Sequence, residues 1–350
     1  MTGAVLAVRL DSDGDVLLTG PAIRALAHGA TSVDLLVSPA GVRAAELLPG
    51  VRDVRVYEAP WSGYAPPALD PGGLRRLVDD LAARSYTGAV IFTSYHQSPL
   101  PAALVLRLAG VPHVSATCED YPGSLLDVRH HRPGGLHEVE AALDLARASG
   151  YEPAAQDDGR LAVRHPLPEV SGLVPSGPYV VVHPGASVPA RAPSPEHARA
   201  IVATLVGRGH RVVVTGGPSE RGLGAEVAGA RATDLSGRTS LAELAAVLES
   251  AACAVVGNTG PAHLAAAVGT PVVSLFAPVV PAGRWSPWGV PHVLLGDQDA
   301  PCRGTRARTC PVPGHPCLDG VTPAVVVDAV NRLCGARAGA TGPLPRAVVA

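Results

Sequence analysis

Lysine is absent from this 350-residue chain, so all 28 of its basic residues are arginine. Any cation that binds a ligand must therefore be an arginine or a histidine. Aromatic residues are also scarce, at 3% of the sequence. Valine, leucine and alanine must then fill the core, which suits parallel sheets because their buried strands read as continuous apolar runs.

Other absences exclude whole classes of protein. No uninterrupted apolar run reaches about 18 residues, so no membrane-spanning helix is predicted. The formal net charge of −2 argues against a general nucleic-acid surface. The first residues lack a signal-peptide pattern, since the apolar run 5–10 is short and acidic residues follow it. We therefore expect a cytoplasmic protein whose six cysteines are thiols rather than disulfides.

Apolar runs alternate with helical patterns along the chain, which is typical of β-α-β units. The predicted strands of the first half are 5–10, 33–37, 54–57, 89–93 and 111–116. Those of the second half are 179–182, 211–215, 254–256 and 272–276. We predict an N-terminal Rossmann-like domain over 1–165, a C-terminal one over 166–334, and a disordered tail over 335–350.

The stretch 257–278 predicts a strand end, a sharp turn, a proline-started helix and a further strand. The turn is Asn258-Thr259-Gly260, and His263 lies in the first helical turn. The first N–H groups of a helix have no partners within it, so they form an anion site. We predict that a nucleotide diphosphate binds here. The alternative is an ordinary turn whose Asn258 and Thr259 only cap the helix.

A second loop with functional character follows the first predicted strand. Asp11, Asp13 and Asp15 stand within five residues, and a helical run begins at Val16. Both loops are expected at carboxyl ends of parallel strands, where α/β proteins bind ligands. They lie near opposite ends of the chain, which predicts two α/β halves that face each other.

Five segments in this order resemble glycosyltransferase family 9, the bacterial ADP-heptose:lipopolysaccharide heptosyltransferases. They are Gly14–Leu17 with Pro21-Ala22, His183–Ser187, Gly216–Glu220, Leu235–Leu241 and Asn258–Ala267. The resemblance extends from Val5 to about Leu333. It implies the α/β GT-B architecture, in which two Rossmann-like domains with parallel sheets face a cleft. The N-terminal domain is then expected on the acceptor side, and the C-terminal domain is expected to bind the nucleotide sugar. The resemblance also implies a metal-independent enzyme with no cofactor and an ADP-sugar donor.

The resemblance makes Asp15 the catalytic aspartate, the base that takes the proton of the acceptor hydroxyl. The alternative is a cap for the helix from Val16, and both roles can hold at once. Asp11 and Asp13 are expected to raise the proton affinity of Asp15. The three carboxylates also suggest a metal site, but the loop lacks the glycine position and the final glutamate of an EF-hand.

Arg191 stands where the family carries a lysine, and Pro193 replaces the tryptophan that usually follows. We expect Arg191 to stabilise the departing diphosphate, because a guanidinium forks onto phosphate oxygens and keeps its charge. The alternative is an exposed surface arginine. Backbone and hydroxyl groups of Ala186 and Ser187 are expected at the same phosphates.

The remaining donor contacts come from later loops of the second half. Glu220 is expected at the ribose and Thr239 beside the adenine or ribose, with helix-start roles as the alternatives for both. Asn258 replaces the family's usual aspartate, which holds hydroxyls of the transferred sugar. The sequence therefore predicts the class of the donor, a nucleotide sugar, but says less about which sugar is transferred. Thr259, Gly260 and His263 complete the predicted nucleotide-sugar site.

Cysteine and histidine residues raise a zinc alternative in the loop 300–322. Its candidate ligands are Cys302, Cys310, His315 and Cys317, but their spacing contains no paired CxxC motif, so we interpret the loop as structural. In the first half, His96, His130, His131 and His137 stand in candidate acceptor loops, with surface exposure or core packing as the alternative for each.

The sequence thus predicts an inverting transferase that moves a heptose-like sugar from an ADP-sugar to a glycan or a small-molecule metabolite. A lipid-linked glycan acceptor would bring the protein close to a membrane surface. Two other functions stay open: a nucleotide-sugar 2-epimerase-like isomerase and a non-catalytic nucleotide-sugar binder. The acceptor's identity and the oligomeric state are not predicted.

Overall fold

The computed structural model describes residues 3–63, 65–94, 96–339 and 348–349. The chain divides into two compact units between Arg164 and His165. Each unit has one sheet of parallel strands, and helices make the crossovers because a tight turn cannot join parallel neighbours. Within the described residues, none of the helices combines the length and apolar character that a membrane span requires.

The first unit alternates strands and helices in nearly regular order. Its strands are β1 (Ala4–Arg9), β2 (Ser32–Val37), β3 (Val51–Val56), β4 (Gly88–Ile91), β5 (Val114–Thr117) and β6 (Val128–His130). Its helices are α1 (Asp13–Leu18), α2 (Gly20–Gly29), α3 (Val42–Leu47), α4 (Pro71–Ala82), α5 (Leu100–Leu108) and α6 (Glu138–Ala148).

The strand order in the first unit is β3-β2-β1-β4-β5-β6. Val5 pairs with Val33 of β2 on one side and with Gly88 of β4 on the other. The order therefore reverses at β1, and the loops after β1 and β4 leave the sheet in opposite directions. This switch point opens a crevice at the carboxyl ends of the strands.

The second unit repeats this plan. Its strands are β7 (Val180–His183), β8 (Val212–Val214), β9 (Thr233–Asp234), β10 (Cys253–Gly257), β11 (Val272–Leu275), β12 (His292–Leu295) and β13 (Val348–Val349). Its helices are α7 (Pro195–Gly207), α8 (Arg221–Ala228), α9 (Leu241–Ser250), α10 (Gly260–Ala267), α11 (Ala282–Trp285), α12 (Pro316–Asp319) and α13 (Pro323–Gly339).

The strand order in the second unit is β13-β12-β11-β10-β7-β8-β9. Val255 of β10 lies between Val182 of β7 and Val273 of β11. The order reverses at β7, so the second switch point lies between β7 and β10. The central strands are apolar and buried, as the predicted parallel α/β class requires.

Several regions differ from the predicted elements. In the second unit, β9 and β12 are strands that were not predicted. The segment 119–135, in which no strand was predicted, contains β6, a three-residue strand with one buried residue, His130. Such a strand has no apolar pattern to reveal it and forms by pairing with β5. The expected tail, 335–350, lies mostly outside the described residues. Where it is described, α13 continues to Gly339 and β13 pairs with β12.

Candidate active site

The loops after β1 and β4 meet at the first switch point. Asp11 follows β1, and its Oδ1 accepts a hydrogen bond of 2.6 Å from Nε2 of Gln97, in the loop after β4. Oε1 of Gln97 accepts from the backbone N–H of Ser94 at 3.0 Å. The amide of Gln97 therefore joins the two diverging loops across the crevice.

Arg9 is the last residue of β1, and its side chain is only 3% exposed. Its Nε lies 2.9 Å from Oδ2 of Asp11, and its Nη2 lies 3.2 Å from Oδ1 of Asp15. The same Nη2 donates to Oγ of Ser94 at 3.1 Å. A buried guanidinium thus lies between two carboxylates, which supply the compensating charge that burial demands.

Burial and charge act in opposite directions within this cluster. Burial raises the pKa of Asp11 to about 6, although the positive charge of Arg9 draws it down. For Arg9, burial alone would lower the pKa, but the carboxylates of Asp11 and Asp15 outweigh it and raise the pKa. Arg9 stays charged at any physiological pH, and the pKa of Asp11 lies close to neutral pH.

Asp15 lies in the first turn of α1, whose N-cap residue is Ser12. The N-cap role given as the alternative for Asp15 is therefore wrong, because the helix begins at Asp13 and not at Val16. One carboxylate oxygen of Asp15 is held by Arg9, and the side chain is 24% exposed. The buried Arg9 thus orients the carboxylate of Asp15, which stays partly accessible to solvent.

The three aspartates do not form one cluster. The carboxylate of Asp13 accepts from Nη2 of Arg43 at 2.7 Å and from the backbone N–H of Ala44 at 3.1 Å. Asp13 therefore ties α1 to α3. Among the described residues, no group of three or more histidine, cysteine or acidic side chains is arranged to hold a metal ion.

Arg9 and Gln97 were not among the residues predicted for the site. Arg9 is a charged residue inside an otherwise apolar strand, and that mismatch is a signal the sequence does carry. Gln97 carries no such signal, because its role depends on β4 being the neighbour of β1.

At the second switch point the loop after β7 packs against the end of β10. A Cβ at Gly257 would lie 2.5 Å from the carbonyl oxygen of Arg191, so glycine is needed for this close approach. Arg191 is half-buried in the short turn Pro189–Arg191. Its Nε is buried and has no hydrogen-bond partner among the described residues. An anionic ligand would supply the missing acceptor.

His183 ends β7 beneath the same loop. Its Nδ1 lies 3.0 Å from Oγ1 of Thr215, and its Nε2 lies 3.7 Å from Oε2 of Glu220. Burial lowers the pKa of His183, although Glu220 opposes the shift. The imidazole is therefore neutral at pH 7, and His183 offers no cation to a phosphate.

Glu220 belongs to the turn Pro218–Glu220 after β8, and its Oε2 accepts from the backbone N–H of Gly217 at 2.6 Å. Its carboxylate also lies against Gly185, where a Cβ would overlap it. The helix-start role given as the alternative for Glu220 is therefore present. The side chain is still 23% exposed, so a second role at a ligand is sterically open.

The start of α10 offers fewer N–H groups than expected. The helix begins at Gly260, Pro261 has no N–H, and the N–H of Ala262 donates to the carbonyl of Thr259 at 3.0 Å. Thr259 is the N-cap residue, but its hydroxyl makes no capping hydrogen bond. Gly260 N–H and the Thr259 hydroxyl remain for an anion, and His263 is buried in the first turn.

Asn258 is 4% exposed and bridges two loops. Its Nδ2 donates to the carbonyl of Ala277 at 3.3 Å, and its Oδ1 accepts from the N–H of Ala277 at 3.2 Å. The amide thus pairs with one peptide unit after β11. A carboxylate at this position could only accept, so the pairing is specific to asparagine.

The remaining predicted donor residues lie at the same edge of the second sheet. Ala186 is half-buried and Ser187 is exposed in the loop after β7. Thr239 is half-buried and does not cap α9, since Ser240 and Glu243 form its capping box. Its hydroxyl is therefore not committed to the helix start.

The candidate histidines of the first unit have mostly structural contacts. His137 is the N-cap of α6, and His130 lies between Oγ1 of Thr117 at 2.8 Å and a carboxylate oxygen of Asp144 at 2.9 Å. His131 is 59% exposed. All six cysteines are free thiols. Burial raises the pKa of Cys317 to about 12, with the neighbouring thiols adding to the shift, so this group stays protonated.

Comparisons with known proteins agree with these features. The family model described as glycosyltransferase family 9 (heptosyltransferase) matches residues 74–315. The chain is 29% identical over 317 residues to lipopolysaccharide heptosyltransferase 1 of Pseudomonas aeruginosa, covering 87% of each chain.

Two solved structures share the fold. One is the ADP-heptose LPS heptosyltransferase II of E. coli, with a TM-score of 0.74, 21% identity, and coverage of 96% of this chain and 99% of that chain. The other is a family 9 glycosyltransferase of Veillonella parvula, with a TM-score of 0.76, 16% identity, and coverage of 95% and 97%. The predicted α/β GT-B fold class is confirmed.

The buried cluster predicts a pH-dependent loss of stability when Arg9 is removed. Arg9→Met should lower the free energy of unfolding by about 3–5 kcal/mol at pH 8, because two carboxylates lose their cation. The loss should shrink towards pH 5. Without Arg9 the pKa of Asp11 rises further, so Asp11 is already protonated at pH 5. A protonated Asp11 carries no charge and needs no cation. Denaturant unfolding at both pH values measures this effect.

Arg43→Met is the matched control. Arg43 also pairs with an aspartate, Asp13, at 2.7 Å, but it is 62% exposed. Its removal should cost less than about 1 kcal/mol. Equal losses for the two variants, or a loss for Arg9→Met that ignores pH, would contradict the assigned charge balance.

The amide of Asn258 gives a second prediction. Asn258→Asp should lower the free energy of unfolding by about 1–3 kcal/mol at pH 7, because the carbonyl of Ala277 would face a carboxylate oxygen instead of a donor. Thr259→Val is the control, since that hydroxyl makes no capping bond, and we expect a change within about 0.5 kcal/mol. Denaturant unfolding compares them; an Asn258→Asp protein as stable as the wild type would show that the amide does not join the loops.

Proposed function

The chain belongs to glycosyltransferase family 9, and from that premise we propose that it transfers a heptose-like sugar from an ADP-sugar to a hydroxyl group, with inversion at the anomeric carbon. As a member of this family it is a glycosyltransferase. The observation that carries the finer proposal is the state of Asp15. Its carboxylate is oriented by buried Arg9, yet the side chain is 24% exposed at the carboxyl edge of the sheet.

In this reaction Asp15 acts as the general base. Its carboxylate accepts the proton of the acceptor hydroxyl while the hydroxyl oxygen attacks the anomeric carbon. The bond between that carbon and the diphosphate oxygen breaks, and its electron pair leaves with ADP. Arg9 positions the base, because its hydrogen bond fixes one carboxylate oxygen. The other oxygen, which accepts from Oγ of Ser12 at 3.4 Å, is the one proposed to take the proton.

Arg191 stabilises the charge that develops on the departing diphosphate. Its buried Nε lacks a hydrogen-bond partner among the described residues, and His183 below it is neutral. A phosphate oxygen would supply the missing acceptor, and a charge-assisted hydrogen bond strengthens as the leaving group gains charge. The Thr259 hydroxyl and Gly260 N–H are proposed as further phosphate donors, with His263, Ala186 and Ser187 beside them.

The donor is proposed to be an ADP-sugar because similar proteins are named for it. The E. coli structure is that of an ADP-heptose heptosyltransferase. Glu220 is proposed at the ribose and Thr239 near the adenine. Asn258 is proposed at the transferred sugar through the remaining hydrogen-bonding capacity of its amide, since one N–H and one lone pair are used by Ala277.

The family match supports transfer over the isomerase and the non-catalytic binder. We propose no metal or organic cofactor in the reaction. The proposed partners are the nucleotide sugar and a glycan or small-molecule acceptor. A cytoplasmic location is proposed because all six cysteines are free thiols, which suits a reducing compartment.

Removal of the base tests the role of Asp15. Asp15→Asn should reduce turnover by roughly 10²–10⁴, because the amide keeps the contact with Arg9 but takes no proton. ADP affinity should stay unchanged. ADP release from ADP-heptose in the presence of an accepted acceptor measures turnover, and Asp13→Asn is the control because Asp13 contacts α3 instead. Turnover of Asp15→Asn within a few fold of the control would remove Asp15 from the base role.

Loss of the guanidinium tests the role of Arg191. Arg191→Ala should weaken ADP binding by about one to two decades, because one or two charge-assisted hydrogen bonds to phosphate are lost. Calorimetric titration with ADP measures the affinity. Arg199→Ala, on the exposed surface of α7, is the matched control and should bind ADP normally. Equal affinities for both variants would return Arg191 to the surface-arginine alternative.

A further inference from the structure

The cysteine-containing loop 300–322 packs against the turn Pro189–Arg191. The backbone N–H of Ala190 donates to the carbonyl of Arg308 at 2.9 Å. Ala190 is also buried in the same apolar core as Cys317. The turn is therefore supported by this loop as well as by the end of β10.

A second contact fastens the chain three residues after Arg191. Oδ1 of Asp319, the last residue of α12, accepts a hydrogen bond of 2.9 Å from the backbone N–H of Ser194. Asp319 is half-buried, and Ser194 is the N-cap residue of α7. With Ala190 bonded on one side and Ser194 on the other, the backbone around Arg191 is held at both ends.

The loop 300–322 also has an attachment of its own. The N–H groups of Gly304 and Arg306 donate to the carbonyls of Pro278 and Val279, both at 2.8 Å. These two acceptors follow β11. The loop is therefore fixed at the carboxyl end of the second sheet, and from there it can hold the turn.

These contacts fix the backbone at Arg191 but not its guanidinium. The carbonyl oxygen of Arg191 lies where a Cβ at Gly257 would be only 2.5 Å away. Its Nε, in contrast, has no hydrogen-bond partner among the described residues. A fixed backbone lowers the entropic cost of binding, because fewer groups must be ordered when a ligand arrives.

We propose that Asp319 is a positioning residue for Arg191: its hydrogen bond to Ser194 holds the turn where the guanidinium meets the diphosphate of the donor. The inference rests on the proposed role of Arg191. Asp319 acts through the backbone and needs only an acceptor oxygen. Its negative charge is not required, since a carboxylate on this side of the turn repels a diphosphate.

Substitutions at Asp319 separate the hydrogen bond from the charge. Asp319→Ala removes both and should weaken ADP binding about three- to tenfold, the worth of one hydrogen bond. Loss of the charge alone would strengthen ADP binding, so a weaker affinity identifies the lost bond. Asp319→Asn keeps an acceptor oxygen and should bind ADP at least as tightly as the wild type. Calorimetric titration of the full-length protein measures these affinities.

Asp297→Ala is the matched control. Oδ1 of Asp297 also accepts from a backbone N–H at 2.9 Å, that of Asp299, but this bond stays within one loop. The control should bind ADP as the wild type does. Asp319→Leu also lacks the acceptor and fills the space, so it takes the place of Asp319→Ala if that variant does not fold. If neither folds, Asp319 serves folding and the proposal is overturned.

A double variant distinguishes positioning from a general loss of structure. In an Arg191→Ala protein, Asp319→Ala should change the ADP affinity by less than about twofold, because no guanidinium is left to position. Equal weakening with and without Arg191 would show that Asp319 acts independently of it, and would overturn the proposal.

Amide hydrogen exchange tests the contact without a ligand. The amide of Ser194 should exchange at least about tenfold faster in Asp319→Ala than in Asp319→Asn, because only the asparagine oxygen still accepts from it. Equal exchange in the two variants would overturn the proposal.

The two readouts separate this inference from the proposed function. Normal ADP binding by Arg191→Ala would remove the proposed phosphate role and this inference with it, even if exchange shows the contact. Weaker binding by Arg191→Ala together with wild-type affinity of Asp319→Ala would overturn the positioning role alone.

Discussion

Parallel strand pairing is the constraint on which the rest of this structure depends. Parallel neighbours require crossovers, so every loop that follows a strand emerges at the same edge of its sheet. In both units the order reverses at the first strand, β1 or β7. The loops on either side of each reversal then diverge and leave a crevice. The Arg9 cluster lies at the first crevice, and Arg191 and Asn258 lie at the second.

The first crevice is organised by the burial of one positive charge. Arg9 is 3% exposed, and an isolated guanidinium at that depth would be strongly unfavourable. Asp11, in the loop after β1, and Asp15, in the helix that follows, supply the negative charge that compensates the guanidinium. The two carboxylates have different surroundings. The carboxylate of Asp11 also accepts a hydrogen bond from Gln97, whereas that of Asp15 is partly exposed to solvent. The same interaction therefore stabilises the loop and orients the exposed carboxylate.

The second crevice is organised by close backbone packing rather than by charge. Gly257 lets the chain at Arg191 approach β10, and Gly185 leaves room for the carboxylate of Glu220. Asn258 then fastens the loop after β10 to Ala277 with two hydrogen bonds. These contacts hold the backbone of Arg191 against the end of β10, while its Nε has no hydrogen-bond partner among the described residues.

The sequence by itself determined the α/β class, the two parallel sheets and the loops that carry the candidate chemistry, because apolar runs and strand-loop-helix patterns are local. It also directed attention to Asp15, Arg191 and the start of α10. Only the tertiary structure decided that Arg9 and Gln97 join the site, that Asp13 turns to α3, and that the Asn258 amide is occupied by Ala277. Each of these contacts depends on which strands are neighbours in the sheet and on which partner is nearest in space. The spacing of residues along the chain determines neither.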